Sequence, residues 1–214
     1  MELDIFSDVV CPWCFIGKRR LEAALSDRPQ SDLLVRWRAF QLNPDMPAEG
    51  MDRQAYLERK FGGAENAQRL YNQIGTVGAE VGIDFAFDRI RRTPNTVNAH
   101  RLIRLGAHHD REDAVVERLF RAYFLEGGDI GDPGLLSELA GDAGLDAQEA
   151  ARFLAGDEER TAVETEDFSG RQAGITGVPT FIVNRRHAVP GAQPPEVLYK
   201  LFDLGREGAQ AAQA

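Results

Sequence analysis

Residues 3–17 read Leu3-Asp4-Ile5-Phe6-Ser7-Asp8-Val9-Val10-Cys11-Pro12-Trp13-Cys14-Phe15-Ile16-Gly17. The apolar run from Leu3 to Phe6 predicts a strand, and the run from Phe15 to Leu25 predicts a helix. Cys11-Pro12-Trp13-Cys14 therefore stands where a strand turns into a helix. Pro12 suits the first helical turn, where its missing N–H costs nothing. Cys11 is then at the helix N-terminus, beside unpaired N–H groups and the positive end of the dipole. A thiol at such a place ionises more readily than a free one, and the thiolate is the nucleophile. Cys14 lies one turn further on, close enough to close a disulfide with Cys11. The stretch supplies an attacking thiol and a resolving thiol.

These are the two cysteines of a 214-residue chain. One alternative is half of a zinc site, but a closed structural site needs about four ligands. There is no second cysteine pair, and His100, His108, His109 and His187 do not form the spaced histidine pair of a zinc motif. A second alternative is two inert buried cysteines, which the position at a strand-to-helix turn disfavours. Neither a metal nor a cofactor is expected.

The composition is that of an ordinary globular chain, 43% apolar and 28% charged, able to bury a core. A formal charge of -9 argues against nucleic acid and anionic membrane surfaces as partners. No apolar run approaches the ~20 residues of a membrane-spanning helix. Met1-Glu2-Leu3-Asp4 carries no basic segment and enters a strand at once, so a cytoplasmic location is expected.

Leu33 to Phe40 predicts a second strand, and Asn43-Pro44-Asp45-Met46-Pro47 ends it. From about residue 51 the pattern is helical. Leu70, Ile74, Val77 and Val81 recur at helical spacing. Ile83 to Asp88 reads as an extended connection, and Thr93-Pro94-Asn95 as a helix start. Asp132-Pro133 and Asp146 read as further helix starts. The last helix of the block runs from Asp157 to Gln172 and ends at Gly174. Thr180 to Val183 is a strand, Asn184-Arg185 a tight turn, and Arg186 to Val189 its hairpin partner. Pro194 to Leu204 predicts a closing helix. Residues 1–45 and 160–205 then supply the strands of one sheet. Residues 46–159 form a helical insertion that needs its own core. Residues 206–214 read as a frayed tail.

C-P-W-C at a helix start, a large helical insertion, and Gly177-Val178-Pro179-Thr180-Phe181 before a hairpin resemble the DsbA-like branch of the thioredoxin superfamily. Phe6-Ser7-Asp8-Val9-Val10, Trp37-Arg38-Ala39-Phe40-Gln41-Leu42 and Thr93-Pro94-Asn95-Thr96-Val97-Asn98-Ala99-His100-Arg101 are similar to its FrnE-like group. The resemblance implies an α/β chain, a thioredoxin fold with a large all-helical insertion. It implies catalytic Cys11 and Cys14, Cys11 as the exposed nucleophile and Cys14 as its resolving thiol, with Pro179 as the cis-proline facing them. An X–Pro bond tolerates cis far better than any other. Val178 would pair with an extended substrate strand, and Trp13 would contact substrate. Asn95 and His100 are candidates for the groove above Cys11, against plain roles as a helix cap and a packing residue. Asp8 either repels a thiolate or bonds a nearby main-chain N–H. Lys18, Arg19 and Arg20 read as a solvated helix face.

Three functions compete. The first is an oxidoreductase or isomerase exchanging disulfides with peptides or proteins, with glutathione as a further thiol partner. The second is a glutathione-dependent isomerase or transferase similar to 2-hydroxychromene-2-carboxylate isomerases, in which the first motif position is typically serine. Cys11 departs from that pattern. The third is a peptide-binding, chaperone-like module that needs neither cysteine.

Overall fold

Leu3, Ile5 and Ser7 are buried on one face of the first strand, and Asp4 is buried on the other. A strand covered on both faces is a central one. β1 (Glu2–Ser7) accordingly lies inside a four-stranded sheet. The computed structural model describes residues 1–211. After β1 come α1 (Pro12–Asp27), β2 (Leu34–Ala39), β3 (Met51–Asp52), α2 (Arg53–Phe61), α3 (Ala64–Glu80) and β4 (Arg92–Thr93). There follow α4 (Val97–His108), α5 (Glu112–Arg121), α6 (Pro133–Asp142), α7 (Ala147–Ala155) and α8 (Arg160–Gln172). β5 (Thr180–Val183), β6 (His187–Pro190) and α9 (Pro195–Ala211) complete the described chain.

The sheet order is β2-β1-β5-β6, with β1 parallel to β2 and antiparallel to β5. Ile5 faces Trp37 on one side and Phe181 on the other. This is a thioredoxin fold of the DsbA-like kind, with helices inserted between β2 and α8. The hairpin turns on Asn184 and Arg185, both with positive φ, 50° and 56°. Two successive left-handed residues match the twist of the flanking strands.

β2 is an edge strand, and carboxylates close its outer edge. Glu112 accepts from the Trp37 N–H at 2.9 Å, Glu166 from the Ala39 N–H at 2.8 Å. Just beyond the strand, Asp167 accepts from the Gln41 N–H at 2.7 Å. These bonds occupy the main-chain donors that an edge would otherwise offer to another strand. They also fasten α5 and α8 to the sheet.

Phe15 joins the sheet domain to the inserted helices. Its ring stacks on Phe120 at 5.1 Å and meets Phe85 edge-on at 6.1 Å. Burying one such ring contributes about 1.5–3 kcal/mol. Asp132 and Asp146 cap α6 and α7 through their carboxylates, as their sequence positions predict.

Three expectations need correction. The helix expected at Thr93 begins at Val97, because Arg92 and Thr93 pair with Asp52 and Met51 in a two-stranded ribbon. Residues 87–89 close a single 3-10 turn inside the expected extended connection. The closing helix runs through Ala211, past its expected end at Leu204. Residues 212–214 of the expected tail lie outside the described residues.

Candidate active site

Cys11 is the N-cap of α1, with φ -94° and ψ 112°, and Pro12 occupies the first helical position. Its N–H donates to Asp8 O at 3.0 Å, and its carbonyl accepts from the Cys14 N–H at 3.0 Å. One turn separates the cysteines, so their thiols face each other, and both are free. Cys14 is fully buried. Burial pushes its thiol well above the usual value, and the neighbouring Cys11 adds to the rise. The Ser7 hydroxyl and the Asp8 N–H face the same sulfur and oppose the rise.

The expected exposure of Cys11 is not found: the residue is 4% exposed. Its Sγ turns under the loop before β5 and donates to Val178 O at 3.5 Å. Trp13 is the open member of the motif, at 36%. The Val178–Pro179 bond is cis. Gly17, one turn after the cysteines, lets α1 approach this loop. A Cβ there would stand 2.9 Å from Pro179 Cγ and 3.3 Å from Phe181 Cζ, and glycine alone avoids that collision. Cys11, Trp13, Cys14, Val178 and Pro179 thus belong to one helix start and the loop facing it.

The basic run after the motif is not a solvated face. Lys18 is 2% exposed, and its Nζ reaches Asp113 at 3.1 Å, Glu117 at 3.5 Å and Glu22. Burial pulls its ammonium down, but Asp113 and Glu22 hold it above its usual value. Arg19 lies 4.7 Å over the Phe15 ring and pairs with Glu117. Arg20 donates to Ala192 O. α5 covers this side of α1, and its acids are about a hundred residues away in sequence.

Asn95 and His100 go separate ways. Asn95 donates to Met46 O at 2.7 Å and accepts from the Val97 N–H at 3.0 Å, so both ends of its amide serve the main chain. His100, on α4, is buried beside Asp8, with Nε2 3.4 Å from Oδ1. The other carboxylate oxygen of Asp8 accepts from the Leu42 N–H at 2.7 Å. That realises the main-chain reading of Asp8, with a donor 34 residues on. Ser7 and Gly17 were not singled out from the sequence. A glycine inside an otherwise helical run was the available sign for Gly17.

A family model described as a DSBA-like thioredoxin domain matches residues 2–203. The chain belongs to the DSBA-like thioredoxin domain family. It is 32% identical to SCO1869 of Streptomyces coelicolor, a probable DsbA oxidoreductase. The two structures superpose with a TM-score of 0.88, over 97% of this chain and 90% of that one. It is 28% identical to the uncharacterized protein YwbO of Bacillus subtilis (strain 168), over 94% of each chain. The cytosolic disulfide reductase DsbM of Pseudomonas aeruginosa, solved with GSH, shares the fold. It has 22% identity and a TM-score of 0.66 over 95% of this chain and 100% of its own. Two facing thiols can, as a matter of chemistry, store and release two electrons as a disulfide.

Proposed function

We propose that this chain exchanges disulfides with peptide or protein substrates through Cys11 and Cys14, as an oxidoreductase or isomerase. The inequality of the two thiols carries the reading. Cys11 is at the helix start, held by a single carbonyl contact, whereas Cys14 is sealed in the core with its thiol raised. Cys11 thiolate attacks a substrate disulfide, forming the mixed disulfide and releasing one substrate thiolate. Cys14 then attacks Cys11 Sγ, closing Cys11–Cys14 and releasing the second. The substrate is reduced and the chain oxidised by the same two electrons; the reverse sequence donates a disulfide.

When Cys11 enters the mixed disulfide, its contact with Val178 O is given up. Val178 can then accept from the N–H of an extended substrate, with Trp13 as the apolar wall beside it. Residues 1–45 and 160–205 form the thiol-bearing unit in this reading, and 46–159 the helical insertion. A glutathione-poised cytoplasm keeps the pair as dithiol, so reduction and isomerisation dominate there. Among the described residues no helix is long and apolar enough to cross a membrane.

The test is insulin-disulfide reduction followed by refolding of a scrambled disulfide protein, both in a glutathione buffer. The chain is expected to accelerate both. Insulin precipitation at the rate of buffer alone, with no recovery of the scrambled substrate, would remove this reading.

A further inference from the structure

The loop that covers Cys11 is held from α1 as well as from its own sheet. Thr180 Oγ1 donates to Gly177 O at 2.8 Å, which closes the loop on itself. Its inner side rests on Gly17, where Pro179 and Phe181 occupy the space of a Cβ. Glycine is a less stable choice than alanine inside a helix, and α1 continues past Gly17 to Asp27. Arg20, one turn on, makes the second hold. Lys18 and Arg19 find carboxylates, but among the described residues none pairs with Arg20. Its guanidinium donates to Ala192 O. The residue before, Gly191, turns at φ 81° and sends its N–H to Pro179 O at 2.7 Å. That bond lies one rung past the last β5–β6 pair, Thr180 with Pro190.

Both holds bear on Pro179, and Val178 directly precedes it. Val178 O accepts from Cys11 Sγ at 3.5 Å, so a displacement of Pro179 moves the carbonyl that meets the thiol. We propose that Gly17 and Arg20 are positioning residues that together fix the Val178 carbonyl over Cys11, and so set both the access to Cys11 and the grip on an extended substrate. α1 then has two tasks. Its first turn carries the thiols, and the turns after it hold the loop that screens the attacking one. A loosened loop has opposite effects on two kinds of partner. It uncovers Cys11 to a small reagent, but Val178 is no longer pre-set as acceptor for a peptide N–H. Partial unfolding would not give that pattern, because it would uncover Cys14 as well.

The proposal rests on the dithiol reading, and two readouts separate them. Gly17→Ala places a Cβ 2.9 Å from Pro179 Cγ and pushes the loop outward. Arg20→Met removes the donor to Ala192 O. Reduced proteins are labelled with iodoacetamide at neutral pH, and each cysteine is counted by peptide mass spectrometry. Insulin reduction is followed at steady state with glutathione as the reductant. In both variants Cys11 should be alkylated about threefold faster or more, because burial under the loop limits the reagent. Cys14 should stay unmodified. KM for insulin should rise by about three- to tenfold, the effect of one weakened main-chain hydrogen bond. The accompanying change in kcat should be less than about twofold. Arg20→Lys, which keeps a donor on the same side chain position, should return labelling and KM toward the wild type. Unchanged Cys11 labelling and KM in both variants overturn the proposal. So does a fall in kcat alone, or Cys14 labelled together with Cys11 in both variants. Wild type that alkylates at Cys11 yet fails to reduce insulin would instead remove the dithiol reading, with the labelling rates still deciding whether α1 holds the loop.

Discussion

Cys11→Ser is expected to bring insulin reduction down to the uncatalysed level. Cys14→Ser is expected to keep the first chemical step and lose the second. The asymmetry follows from geometry: Cys11 is the N-cap held by one carbonyl, and Cys14 has the core on every side. A hydroxyl at position 11 is a far weaker nucleophile than a thiolate, and Cys14 is too enclosed to replace it. With Cys14 replaced, the mixed disulfide on Cys11 has no internal thiol to resolve it and accumulates until an external thiol arrives. Non-reducing electrophoresis and intact mass measure the adduct. Near-normal turnover in Cys11→Ser would contradict the assignment, as would a Cys14→Ser protein that never accumulates an adduct.

The largest effect on stability is expected at Arg101. Its side chain is fully buried, and among the described residues no carboxylate pairs with it. Nε donates to Glu158 O at 2.7 Å, and Nη2 to Phe153 O at 2.8 Å and Gly156 O at 2.7 Å. Nη1 reaches Asn98 Oδ1 at 2.9 Å. The guanidinium closes the carbonyl end of α7, where a helix dipole favours a cation and the last carbonyls lack helical partners. Its ring contact, 5.0 Å over Phe153, adds to the hold. Arg101→Met would leave those carbonyls without donors, at a cost of about 3–5 kcal/mol. For a domain of this size that lowers the melting temperature by roughly 6–20 °C. Arg101→Lys should recover little, since one ammonium cannot reproduce the planar fork. Thermal and urea unfolding report the change; a loss under about 1 kcal/mol, the range of ordinary surface changes, would show that the carbonyls find other donors.

Features encoded over short stretches were legible in the sequence. Pro12 at the first helical position, Asp132 and Asp146 as caps, and Asn184-Arg185 as a tight turn each act through neighbours a few residues away. Those are the distances over which capping and turn chemistry operate. Lys18 was misread because its partners Asp113 and Glu117 arrive from α5, and helical periodicity carries no information about which faces become covered. Cys11 was expected in the open for a similar reason: the Val178 loop that covers it comes from the other end of the chain. The two-residue strands Met51–Asp52 and Arg92–Thr93 are too short for any period to show. His100 stood in a recognisable segment, but its neighbour Asp8 belongs to the turn after β1. The pair exists only once α4 has packed against that turn.

The order in which the two thiols react bears most directly on the whole account. Burial holds the Cys14 thiol well above its usual value, so it stays protonated through the range where an ordinary thiol, near ~8.5, ionises. Because the thiolate is the reactive form, its alkylation should be lost first as pH falls and regained last as pH rises. Reduced protein is labelled with iodoacetamide across a pH series, and each site is counted by peptide mass spectrometry. Cys11 should be labelled ahead of Cys14 at every pH, with Cys14 modified appreciably only in strongly alkaline buffer or after unfolding. Equal labelling of the two, or Cys14 ahead of Cys11, would contradict the division into attacking and resolving thiols.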